Sequence, residues 1–213
     1  MSFDRLAPFY RAMEWLLAGG KLQRCRVAWL AEIPEPRRIL LVGEGHGRFL
    51  EVCARRFPQA AITCVDASRG MLRVSEARWR TAGGRPGAIE FVQAHLPEWP
   101  GDAGPFDLIV TNFFLDCFTA AQLGPVVAAL ARRAAPDACW LIADFNVPPR
   151  GWQRWRARLI LASAYAFFRW ATALPARELI PPDDFLSAAG FHLTRRRLAE
   201  WGLLHADVWV RSA

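Results

Sequence analysis

From Arg37 to Phe145 the chain repeats one rhythm: a short unbroken apolar run, a turn, then a stretch whose apolar residues recur every three or four positions. Ile39-Leu40-Leu41-Val42 and Leu108-Ile109-Val110 show no polar alternation, as expected of strands covered on both faces. The pattern predicts strands near 38–43, 61–66, 88–92, 106–112 and 138–145, and helices near 47–57, 69–80 and 119–134. Such alternation builds a mostly parallel sheet with helices on both faces. Further on, Pro181 to Phe191 predicts a short capped helix ending at Gly190. Partly alternating runs at 191–199 and 203–211 then predict an antiparallel hairpin at the sheet edge, giving an α/β fold with seven strands.

The flanks follow a helical period. Leu6, Phe9, Tyr10, Met13, Trp15, Leu16 and Leu17 predict an amphipathic helix over Phe3 to Ala18. Gly19-Gly20 interrupts it, and Lys21 to Ala31 predicts a second helix, stopped by Ile33-Pro34-Glu35-Pro36. Between Arg150 and Leu174, Trp152, Trp155, Leu159, Ile160, Tyr165, Phe167, Phe168 and Trp170 alternate with Arg150, Arg154, Arg156, Arg158 and Arg169. Three readings of this segment stay open: a lid over a hydrophobic pocket, an interfacial helix in peripheral contact with a membrane, or a core helix with arginine stems laid along it.

The first candidate chemistry lies where the first strand ends. Gly43, Gly45 and Gly47 alternate with Glu44 and His46, and the second strand ends in Asp66. Alternate glycines allow a sharp turn and clear side chains from the backbone, so a ligand can lie on the loop. Amides at the following helix start favour an anionic group, and an acid at the neighbouring strand tip can accept ribose hydroxyls. The dinucleotide fingerprint Gly-x-Gly-x-x-Gly fails, because Arg48 occupies its last glycine position.

These residues resemble the class I methyltransferases that use S-adenosylmethionine, closest to the small-molecule branch of the ubiquinone and menaquinone pathways. Gly43-x-Gly45-x-Gly47 matches their first motif and Asp66 their second. Asp66-Ala67-Ser68-Arg69-Gly70-Met71-Leu72 resembles the segment covering the adenine, and Phe91 to Pro97 the third motif. Phe106 to Leu115 is similar to the fourth, and Ala134 to Ile142 to the turn into the fifth strand. The resemblance covers about 35–147. It implies a Rossmann-like fold and one domain over 1–213: an N-terminal helical lid (1–33), a cofactor-binding core (35–147), a cap after the fifth strand (148–182), and a final helix and hairpin (183–213).

For the cofactor, the resemblance implies Gly43, Glu44, Gly45 and Gly47 at the methionine end and Asp66 at the ribose. Ala67, Met71, His95 and Leu96 surround the adenine, with Asn112 and Phe113 near the sulfonium. Two positions depart from the pattern. Leu41 stands where the family has an acid that helps hold the methionine amino group, and Glu44 is the candidate substitute; His95 stands where the family has an acid near the adenine. Those departures leave open an alternative, a catalytically silent cofactor-binding module acting through a protein or membrane partner.

The activity implied is methyl transfer to a small, hydrophobic or aromatic acceptor by in-line displacement without a metal. Where the acceptor must lose a proton, a base can assist. Asp116, Tyr10, His205 and Tyr165 are candidates by their place in the chain order. The base-methylating branch carries an Asn- or Asp-Pro-Pro-aromatic segment after the fourth strand; Asn112-Phe113-Phe114 lacks the prolines, which argues against a nucleic-acid substrate.

Composition changes this picture little. The 213 residues, 53% apolar, suffice for one core. The charged start Met1-Ser2-Phe3-Asp4-Arg5-Leu6 lacks a signal-peptide layout, and the apolar run Leu159–Phe168 is too short to span a bilayer, so a soluble, cytoplasmic chain is expected. Five scattered cysteines predict neither a metal site nor a disulfide framework. A net charge of +7 suggests polyanions, yet Lys21 is the only lysine and the arginines are dispersed, which reads as a compositional bias.

Overall fold

The computed structural model describes residues 20–100, 103–172 and 176–211. Its sheet has seven strands: β1 (Arg38–Val42), β2 (Ala61–Asp66), β3 (Ile89–Gln93), β4 (Phe106–Asn112), β5 (Ala134–Phe145), β6 (Phe191–Ala199) and β7 (Leu204–Arg211). They lie in the order β3-β2-β1-β4-β5-β7-β6, parallel through β5, with β7 inserted antiparallel between β5 and β6. Helices α1 (Lys21–Arg26), α2 (Arg48–Arg56), α3 (Arg69–Thr81), α4 (Ala120–Ala131), α5 (Gly151–Thr172) and α6 (Asp183–Ala188) complete the described elements. The sequence-predicted Rossmann-like α/β architecture is the one observed, with strand ends within a residue or two except for β5.

Period two along β1 explains why its apolar run is unbroken. Leu40 and Val42 enter a core with Ile109, α4 and Trp140, while Ile39 and Leu41 enter another with Phe49, Leu50 and Cys53 of α2. Each face therefore has its own apolar layer. A third cluster, containing Cys25, Leu161, Tyr165 and Leu204, joins α1 and α5 to the β5–β7 end of the sheet. Asp107, the acid at the start of β4, accepts backbone hydrogen bonds from Arg37 and Arg38, both at 2.8 Å, and so fixes where β1 begins.

Two predicted elements differ. The helix expected over Lys21–Ala31 ends at Arg26 and resumes as a 3-10 turn at Leu30–Glu32. Between them Trp29 donates its indole N–H to the Ala206 carbonyl at 2.9 Å, so docking on the sheet overrides helix propensity. β5 begins four residues earlier than expected, because Ala134 pairs with Phe106 ahead of a register shift that sets Cys139 opposite Leu108. The expected helix over Phe3–Ala18, with its candidate Tyr10, lies outside the described residues.

β1 pairs with β2 on one side and β4 on the other, so chain crossovers leave it in opposite directions. A crevice opens at the carboxyl ends of strands at such a point, and the glycine loop, Asp66 and the β4 exit all end there.

Candidate functional site

The three loop glycines all have positive φ, from 63° to 78°, but they serve different ends. A Cβ on Gly43 would lie 2.3 Å from the Phe114 ring, and one on Gly47 would lie 2.9 Å from the Cα of Ser75. Those two glycines are required by close packing as well as by φ. At Gly45 nothing lies within 4 Å of the missing Cβ, so this turn presents bare backbone to open space.

Glu44 does not face that space. Its Oε1 accepts the backbone N–H groups of Phe49 at 2.8 Å and Leu50 at 3.1 Å, satisfying two otherwise orphaned donors at the start of α2. Burial pushes its carboxyl up to about 7, against the opposing pull of Arg26 and these two amides. In this geometry Glu44 caps α2 and does not line the space beside Gly45.

Asp66 is held from both sides: Oδ2 accepts the Gly45 N–H at 3.2 Å and Oδ1 the Ser68 N–H at 2.8 Å. Ser68 in turn caps α3, its Oγ accepting the Met71 N–H at 3.1 Å. A cavity of about 180 Å³ opens beside them, lined at this end by Gly43, Gly45, Asp66, Ala67, Met71, His95 and Leu96. His95 is exposed at its rim. Leu41 is turned to the opposite side of the sheet, among the apolar residues around Phe49.

The other end of the cavity is made of rings. Phe113, Phe114, Phe118 and Phe145 form edge-to-face pairs, Phe113 with Phe145 at 5.2 Å and Phe114 with Phe118 at 5.0 Å between centroids. Phe113 has φ 53°, a costly conformation for a bulky residue, and its N–H is tied to the Ala143 carbonyl at 2.7 Å. From α5, Leu161, Ala164 and Tyr165 close this end.

One acid faces these rings. Asp116 sits on the 3-10 turn Leu115–Cys117 and lines the cavity, and its backbone N–H donates to Asp144 Oδ2 at 3.3 Å. Burial pushes Asp116 up to about 6, and burial together with Asp116 holds the Asp144 carboxyl well above its ordinary range. Tyr165 donates its hydroxyl to the Asp116 carbonyl at 3.2 Å, and burial raises its phenol, so it braces the turn and is a poor base.

Of the candidate bases, His205 stands apart. It lies opposite Asp144 in the β5–β7 ladder, yet its ring Nδ1 is 2.9 Å from Asp207 Oδ2 and it borders a smaller hollow with Asn146 and Arg196. Burial raises Asp207, but hydrogen bonds from His205 and Arg196 outweigh it and hold the carboxyl below its ordinary range. Arg196 also reaches Asp183 at 2.9 Å, so it clamps β6 to β7 and α6.

The structure thus gathers Gly43, Gly45, Asp66, Ala67, Met71, His95, Leu96, Phe113 and Asp116 around one cavity. It leaves Glu44, Gly47, Asn112 and His205 outside the lining. Asn112 is buried at the end of β4, with an amide nitrogen that has no protein partner. Sequence reasoning missed Arg26. It is buried on α1, and its guanidinium lies 5.1 Å from the Phe113 ring centre. The available signal was a cation directly after Cys25 in a short helix that carries two other cations.

A family model described as a methyltransferase domain matches residues 39–137. That span holds the glycine loop, Asp66, His95 and Asp116. Over residues 39–137 the chain is similar to a methyltransferase domain of the class that uses S-adenosylmethionine. The malonyl-[acyl-carrier protein] O-methyltransferase of Geobacter sulfurreducens is 35% identical over 125 residues, which are 59% of this chain and 45% of that protein. The trans-aconitate 2-methyltransferase of Rhodopseudomonas palustris is 39% identical over 85 residues, 39% of this chain and 30% of its own length. The matches therefore span less than half of these curated relatives. Among solved structures, magnesium protoporphyrin IX methyltransferase from Synechocystis PCC 6803 superposes with a TM-score of 0.69 at 16% identity, covering 99% of this chain and 97% of that one, a likeness of fold.

The residues present fit S-adenosylmethionine, the cofactor of the methyltransferases that the chain resembles. Gly45 offers unobstructed backbone, the Asp66 carboxylate is fixed at the adjoining strand tip, and Met71 and Leu96 give apolar surface beside them.

Proposed function

We propose that this chain transfers a methyl group from S-adenosylmethionine to a small, apolar or aromatic acceptor by in-line displacement without a metal. The continuity of one cavity supports the reading: it runs from Asp66 and Gly45 to the phenylalanine rings and Asp116 without a break. When bound, S-adenosylmethionine supplies an electrophilic methyl group. The chain's own residues hold and orient. Asp66 meets the ribose, Met71, Leu96 and His95 border the base, and Arg26 brings a buried positive charge to the Phe113 wall, suited to an anionic group.

The rings of Phe114, Phe118 and Phe145, with Leu161 and Tyr165, exclude water and give a flat acceptor an apolar seat. Orientation of that kind can supply on the order of 7–11 kcal/mol. Asp116 takes the proton that an acceptor hydroxyl gives up; above about pH 6 it is the carboxylate. Helix α5, through Leu161, Ala164 and Tyr165, acts as the cap of this cavity.

A second reading, a silent cofactor-binding module, is favoured by Leu41 being turned into the core and His95 standing exposed at the rim. Incubation with methyl-labelled S-adenosylmethionine and a panel of phenols, quinols, aromatic amines and aliphatic carboxylic acids separates the two. Carboxylic acids belong in the panel because the relatives' names specify trans-aconitate and malonyl-[acyl-carrier protein]. Label in an aromatic hydroxyl, lost in Asp116→Asn, supports the proposal. Label in an aliphatic acid corrects the acceptor class, and tight binding of the demethylated cofactor with no label transferred anywhere favours the silent module.

A further inference from the structure

The inner face of α5 is used by the cavity; its outer face is not accounted for. Ala157, Leu161 and Tyr165, four residues apart, are buried against the sheet and the cavity. On the opposite side, Trp152, Trp155, Leu159, Ala162 and Ala166 recur at spacings of three and four and face solvent, so α5 has two apolar faces. Trp155 is 72% exposed, Leu159 71% and Trp152 58%. Isolated exposed apolar side chains are ordinary, but an aligned stripe of this size marks an interaction surface. Trp201, 63% exposed on the β6–β7 connection, extends it, its ring 6.1 Å from that of Trp152.

Charge selects the occupant. Arg150 through Thr172 contains five arginines and no acid. Arg158 and Arg169 lie beside the stripe and are exposed, as is Arg150 before the helix start. Arg156 flanks the other side, its guanidinium 5.0 Å from the Trp201 ring centre. Indoles and a leucine rimmed by guanidinium groups suit the boundary between headgroups and acyl chains of an acidic lipid layer. Leu159, Ala162 and Ala166 offer nothing on which nucleic-acid bases stack, and among the described residues no helix is long and apolar enough to cross a bilayer.

We propose that the outer face of α5, with Trp201, is a peripheral docking surface for anionic phospholipid membranes. Trp155 and Leu159 insert at the interface, and the arginine rim reads the negative headgroups. The helix then lies in the membrane plane while its other side forms the cavity wall.

Co-sedimentation with phosphatidylcholine vesicles, with and without phosphatidylglycerol, tests this using neither donor nor acceptor, so it succeeds or fails apart from the proposed reaction. The native chain is expected to pellet with the mixed vesicles, to be released by salt, and to ignore neutral ones. Trp155→Ser/Leu159→Ser should weaken that binding at least about tenfold, and Arg158→Gln/Arg169→Gln by a smaller factor that vanishes at high salt. Both variants should keep the thermal upshift given by the demethylated cofactor. The proposal is overturned if the native chain binds neither vesicle type, or if the Trp155/Leu159 variant binds as tightly as the native chain. It is also overturned if sedimentation velocity shows a dimer that this variant dissolves, because a second copy then covers the stripe, or if the native chain prefers RNA to the mixed vesicles.

Discussion

The two ends of the cavity are built by opposite means. At the Asp66 end the work is done by backbone: bare main chain at Gly45, amides that aim Asp66, and a serine cap that sets α3. At the Asp116 end it is done by side chains, with rings from β4, β5 and α5 around buried acids. The first end has its geometry set by hydrogen bonds within a few residues of the strand tips. The second is held by packing between elements far apart in the chain, so its side chains can differ without altering the hydrogen bonds that set the first.

The sharpest way to break this contrast is at Asp116. If it is the proton acceptor, Asp116→Asn lowers turnover by about 10²–10⁴-fold, while calorimetry shows the demethylated cofactor binding unchanged. The native rate should fall as pH drops through about 6, because the base form is the carboxylate. A flat profile between pH 5 and 8 would remove Asp116 from the chemistry.

The next largest effect is expected at Gly43. Gly43→Ala places a Cβ against Phe114 at positive φ, a conformation that alone costs about 1–2 kcal/mol. Thermal unfolding should show the loss, and Phe114→Ala in the same chain should return part of it, a coupling measurable in a double-mutant cycle. Strict additivity would mean that loop and ring are independent.

Asp66→Ala should weaken the demethylated cofactor by roughly 10–100-fold, since it deletes a fixed acceptor worth about 1.5–3 kcal/mol, with little change in the affinity of an acceptor found by screening. Equal losses for both ligands would erase the division of labour.

The smallest effect belongs to Glu44. Its folded pKa is raised, from 4.5 to about 7, so the folded chain keeps a proton that the unfolded chain has released. Stability contributed by this group falls as pH rises between those values and is lowest above 7. Glu44→Gln keeps one acceptor for the α2 amides and removes the charge. Relative to the native chain it should be neutral at pH 5 and more stable at pH 8, by about 1 kcal/mol once the lost attraction to Arg26 is set against the relieved burial. Matched melting curves at the two pH values check the sign.

Legibility in the sequence follows the same division. Gly43, Gly45 and Asp66 were readable because unusual backbone geometry demands particular residue types at fixed spacing. Runs such as Leu108-Ile109-Val110 were readable because a doubly covered strand has no polar alternation. The capping of α2 by Glu44 was not legible, because nothing in the pattern distinguishes a carboxylate facing a ligand from one turned onto the helix behind it. Asp116 was visible as a position after β4, whereas its proximity to Asp144 depends on the β4–β5 pairing and could not be seen. Arg26 escaped because α1 stops early to let Trp29 dock on β7, a tertiary event without a local signature. The Trp155–Leu159 stripe was legible as composition, but only the fold shows which side of α5 it occupies.

The Phe114 ring, seated where Gly43 lacks a side chain, touches the donor loop with one part and the acceptor chamber with another. Main chain and ring are therefore in direct contact, and a shift of the ring cannot leave the loop where it is. If two ligands share this cavity and are coupled through the ring, thermodynamic reciprocity makes each change the other's affinity by the same factor, whichever arrives first.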